Sequence, residues 1–319
     1  MTEKILITGG AGFIGFHVAK RVLQEGTPVV ILDNFNDYYE TSLKRDRIKE
    51  LKKSHDVEIA EIDLADYNRV EGLFKKNRFD KVCHLGAQAG VRYSLENPEA
   101  YISSNITGTF NILKLMSEYG VKDLVFASSS SVYGGNEKTP FSEEDKTDFP
   151  VSFYAATKKA GEEMAYTYHH LFKINVTILR FFTVYGPWGR PDMGCFSFFR
   201  EIKEGREVNL FNKGKMKRDF TYIDDTVDGI FSAINNPYPY EIINLGNDNP
   251  VELEQFISQI EEITGKKAKK RYLPMQKGDV KETWADISKA QRLLNYNPKT
   301  STKEGLKKFS EWYKEYYNK

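Results

Sequence analysis

Residues Gly9-Gly10-Ala11-Gly12-Phe13-Ile14-Gly15 stand between a short apolar run, Ile5-Leu6-Ile7, and an amphipathic stretch that opens at Phe13. Gly9 permits a tight turn, Gly12 lets an anionic group approach the backbone, and Gly15 allows the helix to lie close to the strand. The helix N-terminus then offers unpaired N–H groups and a partial positive charge to phosphates. The next apolar run ends on Asp33, a carboxylate that can accept hydrogen bonds from both hydroxyls of an adenine ribose and would repel a 2′-phosphate. The pattern points to a dinucleotide, and to NAD over NADP. The alternative, a glycine turn followed by a chance acid, needs strand, turn and acid to coincide by accident. Asp63-Leu64, closing the third apolar run, either reaches the adenine or is a solvated strand end.

The rest of the first half repeats one rhythm of apolar run, turn and amphipathic stretch. Strands are expected at Lys4–Thr8, Pro28–Asp33, Val57–Asp63, Lys81–Gly86, Asp123–Ser128 and Asn175–Phe181. Helices are expected at Phe13–Glu25, Ser42–Lys53, Asp66–Asn77, Pro98–Tyr119 and Phe153–Phe172. Such alternation predicts an α/β fold, a doubly wound parallel sheet of the Rossmann type. After Phe182 the rhythm breaks at a Gly/Pro-rich loop, Gly186 to Pro191. Pieces at Asp219–Ile223, Asp225–Asn235 and Glu241–Leu245 read as returning to the sheet, and helices at Phe196–Glu204, Leu253–Thr264, Ile287–Leu294 and Lys303–Tyr317 complete the chain. The expected division is a nucleotide-binding domain, 1–182 plus 219–246, and a smaller mixed α/β substrate lobe, 183–218 plus 247–319. In the last helix Leu306, Phe309, Trp312, Tyr313 and Tyr316 share a face, so it docks against the body.

Composition removes several function classes. Lys and Arg number 46 against 45 Asp and Glu, a net charge of +1, so no bulk field draws the chain to nucleic acid or an anionic membrane. Any anion must be captured by local donors. No stretch approaches the ~20 apolar residues of a membrane span. Cys83 and Cys195 read as buried packing, and with no leader-like segment the simplest location is the cytoplasm. His17, His55, His84, His169 and His170 lack zinc spacing, so no metal is expected. Lys266, Lys267, Lys269 and Lys270 read as a solvated turn.

The fifth expected strand ends in Ser128-Ser129-Ser130-Ser131, and a later helix carries Tyr154 and Lys158 at i and i+4, one turn apart on one face. A phenol near pKa 10 is a poor base at neutral pH; a neighbouring ammonium favours the phenolate. With a serine donating to the same substrate oxygen, the set forms a proton relay for oxidising an alcohol while hydride leaves for nicotinamide.

Gly9–Gly15, Asp33, Ser129-Tyr154-Lys158, Lys217-Arg218-Asp219-Phe220 and Gly278-Asp279-Val280 together resemble the extended short-chain dehydrogenase/reductases, specifically the nucleotide-sugar epimerases and dehydratases. The resemblance spans essentially the whole chain and places the family's catalytic serine on Ser129, aligned by Phe126 and Val132-Tyr133-Gly134. Dehydratases of this group carry an Asp-Glu pair beside the active-site hydroxyl, and UDP-glucuronate decarboxylases a Glu. Here Ser128, Ser130 and Ser131 stand instead, which implies C4 epimerisation of a UDP-sugar.

The stretches Asp33 to Tyr39, including Asn34, then Gly86 to Ser94, including Arg92, Gly189 to Met193, and Pro274 to Val280 resemble UDP-glucuronate 4-epimerases. The resemblance implies a uronate carboxylate held by Ser128, Ser130 and Thr183, a diphosphate met by Arg218, and Arg190 near the uridine. Gln276 stands where glucose-type enzymes often have Arg, and Asp279 and Arg92 fall in substrate-side motifs. Each has a structural alternative: an exposed salt bridge for Arg190 and Arg218, strand-end capping or packing for Ser128 and Ser130, and a role outside the site for Thr183 and Gln276. The remaining functional alternatives are a UDP-glucose or UDP-N-acetylglucosamine 4-epimerase, a UDP-glucuronate decarboxylase, a 4-reductase consuming NADH, and a silent NAD-binding scaffold. By the same resemblance the long helices pair two copies into a homodimer.

Overall fold

The computed structural model describes residues 3–317. The first half runs β1 (Ile5–Thr8), α1 (Phe13–Gln24), β2 (Val29–Asp33), α2 (Thr41–Lys52), β3 (Glu58–Glu61), α3 (Tyr67–Lys76) and β4 (Lys81–His84). It continues α4 (Tyr93–Glu96), α5 (Pro98–Tyr101), α6 (Gly108–Tyr119), β5 (Asp123–Ser129), α7 (Phe153–Phe172) and β6 (Asn175–Phe181). The second half adds β7 (Thr183–Tyr185), α8 (Gly194–Glu204), β8 (Glu207–Leu210), β9 (Lys217–Tyr222), α9 (Ile223–Asn235) and β10 (Tyr240–Leu245). Then come β11 (Pro250–Glu252), α10 (Leu253–Thr264), β12 (Lys269–Tyr272), α11 (Ser288–Leu294) and α12 (Thr302–Tyr317).

Seven strands form one sheet in the order β10-β6-β5-β4-β1-β2-β3, parallel at every pairing. β1, β2 and β4 are buried throughout, as strands covered by helices on both faces must be. The order reverses between β1 and β4, and at that switch point the turns after both strands open a crevice at the carboxyl edge. The doubly wound architecture expected from the rhythm is the one observed.

Four local features differ from the sequence reading. Asp219–Ile223 does not rejoin the large sheet: β9 pairs with β7 and β11 in a three-stranded sheet of its own, and only β10 returns. Lys269–Tyr272 is not a solvated turn but a strand parallel to β8, with Lys269 exposed and Lys270 half-buried against Glu254 at 2.5 Å. The expected helix Pro98–Tyr119 changes character in the middle, where Ile102–Thr107 is a π-helical stretch. The wider turn presents Asn105, which donates to the Gln88 carbonyl and the Thr157 hydroxyl at 3.0 Å each and accepts from the Gln88 N–H; inserted turns of this kind gather at functional sites. Thr183–Tyr185, to which the sequence reading assigns no element, is β7.

One apolar cluster runs through both halves, from Ile7 and Phe16 to Phe196, Phe256 and Phe309. α12 docks by the face expected of it: Leu306, Phe309, Trp312 and Tyr313 are buried, and Trp188 meets Trp312 and Tyr316 at ring distances of 5.5 and 5.1 Å. Each such aromatic contributes on the order of 1.5–3 kcal/mol by leaving water. No helix among the described residues is long and apolar enough to cross a membrane.

Candidate active site

A cleft of about 410 Å³ lies along the carboxyl edge of the large sheet. Gly9, Gly12, Phe13, Ile14 and Gly15 form its floor, with Asp33, Asn34, Asp63 and Leu64 at one end. Gly9 has φ +67°, and a Cβ there would lie 2.7 Å from the Gly86 Cα. A Cβ on Gly15 would strike the Gly9 carbonyl. The turn is therefore a cradle that only glycine leaves open, the shape a pyrophosphate requires. Asp33 sits beside it, one carboxylate oxygen accepting from the Phe35 N–H at 2.9 Å and the other from the Ala11 N–H at 3.0 Å. Each oxygen retains a lone pair for a ribose hydroxyl. Burial raises the Asp33 pKa, opposed by the Phe35 N–H, Lys44, the Ala11 N–H and Arg47. Asn34 donates to Asp63 at 2.8 Å, and the other Asp63 oxygen accepts from the Ala65 N–H at 2.8 Å, so Asp63 is an ordered part of the rim. Glycine cradle and ribose acceptor fit a dinucleotide.

Two basic residues at this end were missed. Lys44 lines the cleft, donates to the Asn36 carbonyl at 2.7 Å, and is lowered to about 8 by burial, with Asp33 opposing. Arg47 is fully buried. It donates to the Ala11 carbonyl at 2.9 Å, the Tyr39 hydroxyl at 2.7 Å and the Trp188 carbonyl at 2.6 Å. His17 bonds the Pro187 carbonyl at 2.9 Å. Together they staple the cofactor turn to the loop before Arg190. In Lys44-Arg45-Asp46-Arg47 nothing local separates these residues from solvated neighbours; their partners lie as far as 142 residues away.

At the other end, Ser152 caps α7 by accepting the Ala155 N–H at 3.1 Å, which sets Tyr154 in the first turn and Lys158 one turn on. Tyr154, Lys158, Ser129 and Ser130 all line the cleft. Burial raises the Tyr154 phenol, while the adjacent Ser129 hydroxyl and the Arg190 charge pull it back down. Lys158 was expected to do that lowering. Instead its ammonium donates to the Ala127 carbonyl at 2.8 Å, and burial lowers its own pKa to about 8, opposed by Glu162. Ser129 donates to the Ser131 hydroxyl at 3.1 Å.

The substrate-side residues divide. Ser130, Thr183, Arg190, Arg218 and Asp279 line the same cleft. Arg190 pairs with Asp192, Nε to Oδ1 at 3.0 Å, and Asp192 also accepts from the Tyr38 hydroxyl at 3.2 Å; the ion pair is part of the wall. Arg218 donates to the Val280 carbonyl at 2.9 Å and the Lys217 carbonyl at 2.8 Å, so it anchors the segment that brings Gly278 to Val280 over the cleft. Three expectations need correction. Ser128 lines the cleft, but its hydroxyl donates to Glu162 at 2.6 Å and has no second proton for a carboxylate. Gln276 lies outside the wall: its carbonyl accepts the Asp279 N–H at 3.3 Å, opening the turn, and its side-chain oxygen is buried without a hydrogen-bond partner. Arg92 also lies outside, over the Phe211 ring at 4.4 Å, and reaches the site only by pairing with Asp279 at 3.4 Å.

Residues 5–246 match the model of the NAD dependent epimerase/dehydratase family. A UDP-glucuronate 4-epimerase of Thermodesulfobacterium geofontis is 50% identical over 311 residues, covering 97% of this chain and 96% of that one. Among solved structures, the UDP-glucuronic acid 4-epimerase of Bacillus cereus in complex with UDP-glucuronic acid and NAD superposes with a TM-score of 0.92 at 36% identity, over 98% of this chain and all of the other. The UDP-glucose 4-epimerase of Thermotoga maritima, with UDP-glucose, gives 0.89 at 32% identity, over 98% and 99% of the two chains.

Proposed function

This chain belongs to the NAD dependent epimerase/dehydratase family, and from that premise we propose that it interconverts UDP-glucuronate and UDP-galacturonate by epimerising C4. The observation that carries the reading is one cleft holding the glycine cradle, the Ser129-Tyr154-Lys158 set and the uncommitted hydroxyls Ser130 and Thr183. NAD, when bound, supplies the reversible acceptance of a hydride from C4.

The chain's own residues do the remainder. Gly9, Gly12 and Gly15 hold the pyrophosphate, with Phe13 and Ile14 opening the helix; Asp33 and Asn34 take the adenosine ribose, and Asp63 and Leu64 border the base. Tyr154 removes the C4 hydroxyl proton and returns it to the same oxygen after the sugar has turned over. Ser129 turns its one proton from the Ser131 hydroxyl to that oxygen, and Lys158 holds the nicotinamide ribose. Arg218 and Arg190 meet the diphosphate and nucleoside. A 4-keto uronate is a β-keto acid that loses CO₂ readily, so Ser130 and Thr183, by fixing the carboxylate, guard the product as well as bind it. No acid or base flanks Ser129, where Ser128, Ser130 and Ser131 stand, which favours epimerisation over elimination.

The chain works as a homodimer. Ile102, Phe110 and Tyr166 are 49%, 42% and 48% exposed near the α6–α7 pair, an apolar surface that a two-fold partner would cover.

Incubating the pure protein with UDP-glucuronate, UDP-glucose and UDP-N-acetylglucosamine tests the reading. UDP-galacturonate should form without stoichiometric NADH. Turnover of UDP-glucose alone, or UDP-xylose as the main product, would replace it. Tyr154→Phe should abolish turnover while NAD still binds.

A further inference from the structure

Three residues of α7, spaced four apart, each engage a different residue at the end of β5. Tyr154 lies beside the Ser129 hydroxyl, Lys158 donates to the Ala127 carbonyl at 2.8 Å, and Glu162 accepts from the Ser128 hydroxyl at 2.6 Å. Positions i, i+4 and i+8 share one helix face, so Glu162 extends the catalytic row by one turn. It is buried, which alone would be costly for a carboxylate. Arg180 on β6 compensates with a bidentate pair at 2.9 and 2.8 Å, and stacks over the Tyr133 ring at 4.9 Å.

We propose that Glu162 is a positioning residue of the proton relay, acting on Lys158 through its charge and on the Ser129 strand end through Ser128. Among the described residues Glu162 is the one carboxylate whose charge bears on Lys158. From β4 it faces His84, kept neutral by burial with a pKa near 3 and held between the Thr8 and Thr109 hydroxyls at 2.7 and 3.1 Å. From β5 it faces the Phe126 ring at 5.4 Å. On its own helix Tyr154 and Glu162 stand one turn to either side, Glu162 being the charge that acts on it, while Arg180 on β6 stands against Glu162. Burial disfavours the Glu162 charge, yet Arg180, Ser128 and Lys159 hold its carboxyl below the usual range. The fold thus maintains an anion beside an amine that burial pushes toward neutrality.

The test titrates Lys158 by NMR on protein with labelled lysine side chains, the signal assigned by its loss in Lys158→Met. Glu162→Gln keeps the shape and removes the charge. The Lys158 midpoint should fall by about one pH unit, and Ser128→Ala, which removes only the hydrogen bond, should leave it in place. If Glu162→Gln fails to fold because Arg180 is left unpaired, the pair Glu162→Gln with Arg180→Gln removes both charges, and the midpoint should still fall. An unchanged midpoint in the folded variant, or an equal fall in Ser128→Ala, overturns the proposal. Its turnover arm rests on the epimerase reading: the alkaline limb of kcat against pH should move down with the midpoint. Absence of turnover on any UDP-sugar would sink that reading, while the titration still decides on Glu162.

Discussion

Ser128 and Ser130 are adjacent and chemically identical, yet the fold gives them different work. Ser128 has its only proton on Glu162, and Ser130 lines the cleft with no side chain among the described residues bonded to its hydroxyl. Ser130→Ala and Thr183→Ala should therefore raise KM for UDP-glucuronate roughly ten- to a hundredfold each, a lost hydrogen bond to a charged group being worth about 1.5–3 kcal/mol. They should leave KM for a neutral UDP-hexose nearly unchanged. Ser128→Ala should do the reverse, costing about 1–2 kcal/mol of stability in denaturant titration with little change in KM. What a sequence shows at this scale depends on distance along the chain. The glycine turn and the Tyr154–Lys158 pair act across a single turn, so their spacing carries their meaning. Ser128 and Glu162 are 34 residues apart, and nothing in a run of four serines says which one is occupied.

The same limit governs the elements. Helices and strands of the first half were legible because each is an apolar pattern with its own boundaries. The π-helical stretch, the separate sheet of β9 and the pairing of β12 with β8 were not, because each depends on a partner remote in sequence. Arg47 on α2 is the sharpest case, since its guanidinium joins the Ala11, Trp188 and Tyr39 oxygens on three segments. Arg47→Met would leave those buried carbonyls without a donor and should cost about 3 kcal/mol in urea unfolding. It should also weaken NAD and UDP-sugar binding together in calorimetric titrations, whereas a change confined to one half of the site would weaken one ligand alone.

At the scale of the molecule, one hydrophobic cluster crosses from the glycine turn to the C-terminal helix, and β10 of the second half completes the large sheet. Thermal unfolding followed by far-ultraviolet circular dichroism and by tryptophan fluorescence should therefore give one coincident transition. Trp188 and Trp312 report on the C-terminal contact and the peptide signal on the large sheet. Two resolved transitions would mean that the halves fold independently. Ile102, Phe110 and Tyr166 are among the exposed apolar side chains of the described residues, and the dimer reading predicts that Phe110→Glu with Tyr166→Glu yields a monomer in sedimentation while the fold survives.

The staple made by His17 and Arg47 bears on how such a site can be recut. Trp188 is held at φ +61°, a left-handed conformation that tryptophan rarely adopts, with its carbonyl fixed by Arg47 and its ring among Phe16, Trp312 and Tyr316. A designer seeking a different sugar thus inherits two kinds of position. On the proposed reading Ser130 and Thr183 are interchangeable fittings, whereas the loop from Pro187 to Gly189 is structural frame, and a change there should loosen the grip on both ligands before it alters the taste for either.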